Sequence, residues 1–78
     1  MKKIEDSFGI AVRRWRKKRG LSQEEFAAHA GIHRTYVSSI ELGKVQVSIG
    51  IAQKLADTLE VPLSKLWREI EREWDAAG

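Results

Sequence analysis

The sequence contains no cysteine and a single proline, and no apolar run in it approaches the ~20 residues needed to span a membrane. Without cysteine, neither a disulfide nor a thiolate metal site can stabilise the fold. Residues 1–6 also lack the apolar core of a signal peptide. We therefore expect a soluble, cytoplasmic protein whose stability comes from helix packing, from a partner chain, or from both.

The sequence also lacks the signatures of an enzyme. It has no glycine-rich phosphate loop and no His-Glu metal motif, and no histidine is placed to activate a serine. His29 and His33 are four residues apart, but Gly31 interrupts the helix between them, so they should not share a face. We therefore predict no catalytic residue, no metal site and no cofactor.

A length of 78 residues predicts one domain. Charge is unevenly distributed along the sequence. Residues 1–44 hold ten basic and five acidic side chains, a net of +5, whereas residues 45–78 hold four basic and six acidic ones, a net of −2. The run Arg13–Arg19 carries most of the basic excess. This distribution predicts that one end of the domain faces an anion.

Apolar residues recur at helical spacing in five segments, and no segment has the character of a strand. We predict a compact, all-α fold with a flexible arm over 1–6 and helices over 7–19, 22–29, 34–42, 48–59 and 62–76. Ser7, Ser22 and Ser48 are the predicted caps of the first, second and fourth helices. Ile49 should share the buried stripe of the fourth helix with Ala52.

Residues 23–42 form two short amphipathic segments that meet at Gly31. Glycine is favoured after the last turn of a helix, and two such helices joined by a tight turn form a helix-turn-helix unit. Four hydrogen-bonding, non-acidic side chains fall on the exposed stripe of the second helix: Arg34, Thr35, Ser38 and Ser39. Such a stripe can read base edges in a DNA major groove, with Arg34 suited to guanine.

The motif Leu21-Ser22-Gln23-Glu24-Glu25-Phe26-Ala27, followed by Gly31, Val37, Ile40, Glu41, Gly43 and Lys44, resembles the Cro/phage-repressor (XRE-type) helix-turn-helix family. This resemblance covers residues 7–67 and implies a lambda-repressor-like fold and a transcriptional regulator that binds double-stranded DNA. Within that family, Arg34-Thr35-Tyr36-Val37-Ser38 in a short chain is similar to the controller proteins of restriction-modification systems.

The resemblance also assigns roles to single residues. It implies that Gln23 contacts the DNA backbone and braces the recognition helix, that Arg16 and Glu41 form a partly buried ion pair, and that His33 takes a cap position. Leu42 departs from the family, in which a polar residue often touches phosphate at that position. The predicted DNA-binding residues are Gln23, His33, Arg34, Thr35, Tyr36, Ser38, Ser39 and Lys44.

The last helix continues its apolar stripe through Trp67, Ile70 and Trp74. An exposed apolar patch of this kind predicts a partner, and a second copy would close the contact as a homodimer on a pseudo-palindromic operator. RNA polymerase is a further expected partner. Two alternatives stay open: the tail could fold back onto the first helix, and the chain could be an antitoxin-like or adaptor module that binds protein instead of DNA.

Overall fold

The computed structural model describes residues 3–77, over which it contains five helices and no strand. The helices are α1 (Ile4–Lys18), α2 (Gln23–Ala30), α3 (Arg34–Glu41), α4 (Ile49–Leu59) and α5 (Leu63–Ala77). The predicted all-α, five-helix fold is confirmed. Across this range no helix is long and apolar enough to cross a membrane.

The start of the chain differs from its prediction, because α1 begins at Ile4. Residues 4–6 are therefore helical, and the flexible arm predicted over 1–6 is wrong for them; residues 1 and 2 lie outside the described range. The backbone amide of Lys3 donates to the Asp6 carboxylate at 3.1 Å, which closes the first turn. Ser7, the predicted cap, lies instead inside the helix and is fully buried.

The core is a single cluster to which every helix contributes, with α1 packed against α3, α4 and α5. Its fully buried side chains include large apolar groups from all five helices, namely Val12, Phe26, Val37, Ile40, Leu55, Leu59, Leu66 and Ile70. Because α1 contacts three other helices, it acts as the central support of the domain. Its position decides where the helix-turn-helix unit lies.

Helix α5 folds back along α1, which corrects one predicted role. Ile70 has no exposed surface, so it belongs to the core of its own chain and cannot be a dimer contact as predicted. Trp67 and Trp74, on the same predicted stripe, remain about half exposed. The packing of α5 on α1 corresponds to the alternative in which the tail folds back onto the first helix. It buries Ile70 but leaves the indole rings of Trp67 and Trp74 partly exposed.

Ile49 also differs from its prediction. It is 83% exposed, whereas Ala52, Leu55 and Leu59 further along α4 are buried. Ile49 is the first residue of α4, next to the cap Ser48, whose hydroxyl accepts from the Ile51 amide at 3.1 Å. The helical periodicity is right, but no neighbouring element extends far enough to cover this first position.

Gly9 lets α1 approach the end of α3 closely. A Cβ placed on Gly9 would lie 2.6 Å from the carbonyl oxygen of Glu41 and would also clash with that of Ile40. Both atoms belong to backbone, which cannot move away as a flexible side chain can. This contact could not be predicted from the sequence, because a glycine inside a helix usually only lowers its stability.

We expect Gly9→Ala to lower Tm by roughly 5–20 °C, because forcing a methyl group into packed backbone costs ~1–3 kcal/mol. Gly50→Ala is the matched control, since a Cβ there would meet only the Ser48 hydroxyl at 3.8 Å. It should raise Tm slightly by removing unfolded-state freedom. Thermal melts followed by circular dichroism compare the two, and a Gly9→Ala variant that melts at or above the parent would contradict the close approach.

Candidate nucleic-acid interface

The N-terminus of α2 is fixed by a reciprocal cap. The Ser22 hydroxyl accepts from the amide of Glu25 at 3.0 Å, and the Glu25 carboxylate accepts from the amide of Ser22 at 2.8 Å. The backbone and hydroxyl hydrogen bonds from Ser22 lower the pKa of Glu25. This cap therefore stabilises the fold above the ordinary pKa of a glutamate, and that contribution is lost as the pH falls through the lowered value.

The turn between α2 and α3 follows the predicted pattern. Gly31 ends α2 in the left-handed conformation, with φ 69° and ψ 32°, which glycine adopts at little cost. His33 then caps α3, because its Nδ1 accepts from the amide of Thr35 at 3.1 Å. The His33 side chain is thus used to start the recognition helix, and this hydrogen bond orients the ring beside that helix's first turn.

The exposed face of α3 carries most of the predicted contacts. Arg34 and Thr35 are exposed, while Ser38 and Ser39 are partly exposed. Tyr36 is partly buried and packs against the core, so its ring borders the stripe and does not project from its centre. Lys44 is exposed in the loop that follows α3.

A buried ion pair joins α1 to the end of α3. Arg16 Nε donates to Glu41 Oε2 at 2.6 Å and Nη2 donates to Oε1 at 3.0 Å, so the contact is bidentate. The two side chains are only 9% and 3% exposed. Arg16 Nη1 also donates to the carbonyl of Leu21 at 2.8 Å, which ties the α1–α2 connector to the same guanidinium.

Gln23 completes this network from α2. Its Nε2 donates to Glu41 Oε1 at 3.1 Å, so the side chain is half-buried against the recognition helix. The structure thus brings together Arg16, Gln23 and Glu41, residues from three helices. Three charged or polar donors to one carboxylate cancel the negative charge that Glu41 would otherwise present beside an anion.

Several side chains of the basic run Arg13–Arg19, which the charge distribution places at the end predicted to face an anion, have partners within the fold. Arg14 pairs with Glu73 of α5 at 2.7 Å. Arg19 donates to the carbonyls of Leu59 and Glu60, where α4 ends. The sequence could not separate these roles, because each depends on a residue far along the chain.

Trp15 gives part of this run a further structural role. The cationic groups of Lys18, Arg19 and Lys65 lie 4.7, 5.6 and 5.4 Å from the centre of its buried ring. Cations at such distances are attracted by the ring's negative face. Apart from Arg16, the basic residues of the run are exposed to solvent, so these contacts are made at the surface.

The described residues offer no group of three or more His, Cys, Asp or Glu side chains that could hold a metal ion. His29 is exposed at the end of α2, and His33 is engaged in its cap. The arrangement is that of a binding surface whose polar face is held in place by a network beneath it.

We expect Glu41→Ala to destabilise the fold by ~3–5 kcal/mol, because it leaves Arg16 buried without its partner. Glu73→Ala is the matched control: it removes the other ion pair, in which Arg14 is 59% exposed, and should cost at most ~1 kcal/mol. Urea unfolding at neutral pH measures both. Equal costs for the two variants would contradict the structural role of the Arg16–Glu41 pair.

Known proteins resemble this chain in sequence and in fold. The helix-turn-helix family model HTH_3 matches residues 12–66. Control protein C.MunI of Mycoplasma sp. is 45% identical over 74 residues, which cover 94% of this chain and 100% of that protein. The restriction-modification controller protein C.AhdI from Aeromonas hydrophila has a TM-score of 0.77 at 37% identity, over 80% of this chain and 94% of that one.

A more distant structure shows the same fold. The controller protein C.Esp1396I, solved as a tetramer in complex with its natural 35-base-pair operator, is 22% identical with a TM-score of 0.85, over 94% of this chain and 96% of that chain. The polar face of α3 and the reciprocal cap of α2 agree with the family match. The chain belongs to the XRE-type helix-turn-helix family of DNA-binding transcription regulators, and controller proteins of restriction-modification systems are among its relatives.

Proposed function

We propose that this protein is a homodimeric, sequence-specific regulator that binds a pseudo-palindromic operator as the controller protein of a restriction-modification system. The exposed polar stripe of α3, held from beneath by Arg16, Gln23 and Glu41, is the observation that carries the proposal. A stripe that is rigidly backed can present its hydrogen-bonding groups in one orientation, which base recognition requires.

Phosphate contacts would set the register of the domain on the duplex. The N-terminus of α2 presents backbone amides and the positive end of a helix dipole, which suits a phosphate. Lys44 would hold a second phosphate from the loop after α3. Gln23 stands at the start of α2 and would both brace Glu41 and approach the DNA backbone, so one residue would couple the phosphate contact to the position of α3.

The surface for self-association includes Trp67 of α5 and extends beside that helix onto neighbouring elements. An open groove of about 270 Å³ runs between the start of α1, the loop after α3, the start of α4 and Trp67. Val45 and Val47 line it, and the exposed Ile49 stands at its edge. A projecting apolar side chain next to an apolar groove is self-complementary, because two copies related by a two-fold axis can each insert Ile49 beside the other's Trp67.

A dimer closed through this groove would bring two copies of α3 onto one face of the duplex. Recognition helices in such dimers lie about one DNA turn, ~34 Å, apart. Trp74, also about half exposed on α5, would extend the contact along that helix. Occupancy of a promoter would then block RNA polymerase or recruit it from a neighbouring site in the cytoplasm.

Selection of bound sequences from random DNA tests the function as a whole. A symmetric consensus, and affinity that falls steeply with salt, are the expected results. Retention of protein partners without any salt-sensitive retention of DNA would favour the antitoxin-like or adaptor role instead.

We expect Arg34→Ala to weaken binding to the selected site by ~1–3 kcal/mol and to relax the preference at one position of each half-site. Arg72→Ala, an exposed arginine on α5, serves as the control and should change neither quantity. Titrations with selected and with random duplexes distinguish a loss of base recognition from a general loss of DNA affinity. An equal loss on both duplexes would mean that Arg34 contacts only phosphate.

We expect Ile49→Asp combined with Trp67→Ala to produce monomers with weakened operator binding and an intact helical signal. Both side chains are exposed, so the core is untouched, and an acidic residue in the first turn of α4 is compatible with the helix dipole. Sedimentation velocity reports the mass. Leu42→Ala removes another exposed apolar side chain and should stay dimeric; a double variant that also stays dimeric would place the interface elsewhere.

A further inference from the structure

Leu42 is an apolar side chain on the recognition surface for which the contacts proposed above have no role. It is 59% exposed, whereas the other aliphatic residues of this segment, Val37 and Ile40, are buried in the core. Leu42 follows Ser38 by four positions and Thr35 by seven. Residues with this spacing lie on one face of a helix. Leu42 therefore lies on the polar stripe, although its own side chain is apolar.

The backbone at Leu42 keeps the side chain on that face. Its φ of −89° and ψ of 0° remain in the right-handed region, and its amide still donates to the carbonyl of Ser38 at 3.0 Å, as in the helix. The Cα–Cβ bond therefore leaves the chain in the direction that the helical spacing predicts. Leu42 extends the stripe by one turn beyond the last residue of α3.

An aliphatic group at this position matches one feature of the DNA major groove. Among the four bases, only thymine presents an apolar group there, the methyl on C5, and aliphatic side chains contact it. The eight residues of α3 span ~12 Å, so Arg34 and Leu42, at opposite ends of the stripe, would face different base pairs. Arg34 would read one end and Leu42 the other.

We propose that Leu42 is a specificity-determining residue that recognises a thymine through its 5-methyl group; this rests on the proposed DNA-binding function. The contact would remove the exposed isobutyl group of Leu42 from water. Leu42 is not among the residues that line the self-association groove, so the groove leaves this side chain available to DNA.

The test replaces the methyl group and the side chain separately. Each thymine of the selected operator is changed in turn to deoxyuridine, which lacks only the methyl, and affinity is measured by fluorescence anisotropy for the parent protein and for Leu42→Ala. One substitution should weaken the parent about fourfold per half-site, the effect of one buried methyl-sized group. The same substitution should leave Leu42→Ala unaffected, and random-sequence affinity should be equal for both proteins.

Leu42→Asn provides a second variant that keeps the branch at Cγ but has a polar end. It should lose the thymine preference as Leu42→Ala does, with Tm unchanged for both because the side chain lies outside the core.

Parent binding that is insensitive to deoxyuridine at every position, or a deoxyuridine effect that persists undiminished in Leu42→Ala, would overturn the assignment. So would monomeric sedimentation of Leu42→Ala, which would make the residue a dimer contact. Failure of the parent to enrich any sequence would instead overturn the proposed DNA-binding function, and the assignment with it.

Discussion

The buried pair of Arg16 and Glu41 is the constraint on which the helix-turn-helix half of the domain depends. A charge taken out of water is costly unless it is paired and hydrogen-bonded, and the guanidinium here meets that demand with three donors, two to the Glu41 carboxylate and one to the Leu21 carbonyl. One side chain thereby fixes α1, the connector and the end of α3 together. Gln23 adds α2 to the same carboxylate. The orientation of the recognition helix therefore depends on charged contacts with strict geometry as well as on apolar packing.

The basic run of α1 makes contacts with several other elements of this small domain. Arg16 is committed to Glu41, Arg19 to the end of α4, and Arg14 to α5, while Lys18 lies over the ring of Trp15. Cations near the C-terminus of α1 are favoured by its dipole, and the same groups connect that helix to distant parts of the chain. Much of the positive charge that suggests nucleic-acid binding in the sequence thus holds the fold together.

The large apolar side chains that remain exposed fall on two surfaces with different proposed uses. Ile49 and Trp67 border the groove between α1, α4 and α5, with Trp74 further along α5, whereas Leu42 extends the recognition stripe. The groove and the stripe are built from different residues, so a substitution can alter one surface without touching the other. The loop after α3, which includes Lys44 and Val45, joins the two surfaces.

The sequence by itself determined the helices, the turn at Gly31 and the polar stripe of α3, because caps, glycine positions and apolar spacing act within a few residues. The Arg16–Glu41 contact was also foreseeable, but only through a family resemblance, since the two residues are 25 positions apart. Tertiary structure alone decided that Ile70 is core, that Ile49 is exposed and that Gly9 must lack a side chain. Each of these outcomes depends on which element lies against the residue in the folded chain. Helical periodicity shows which residues share a face but not which neighbour covers that face.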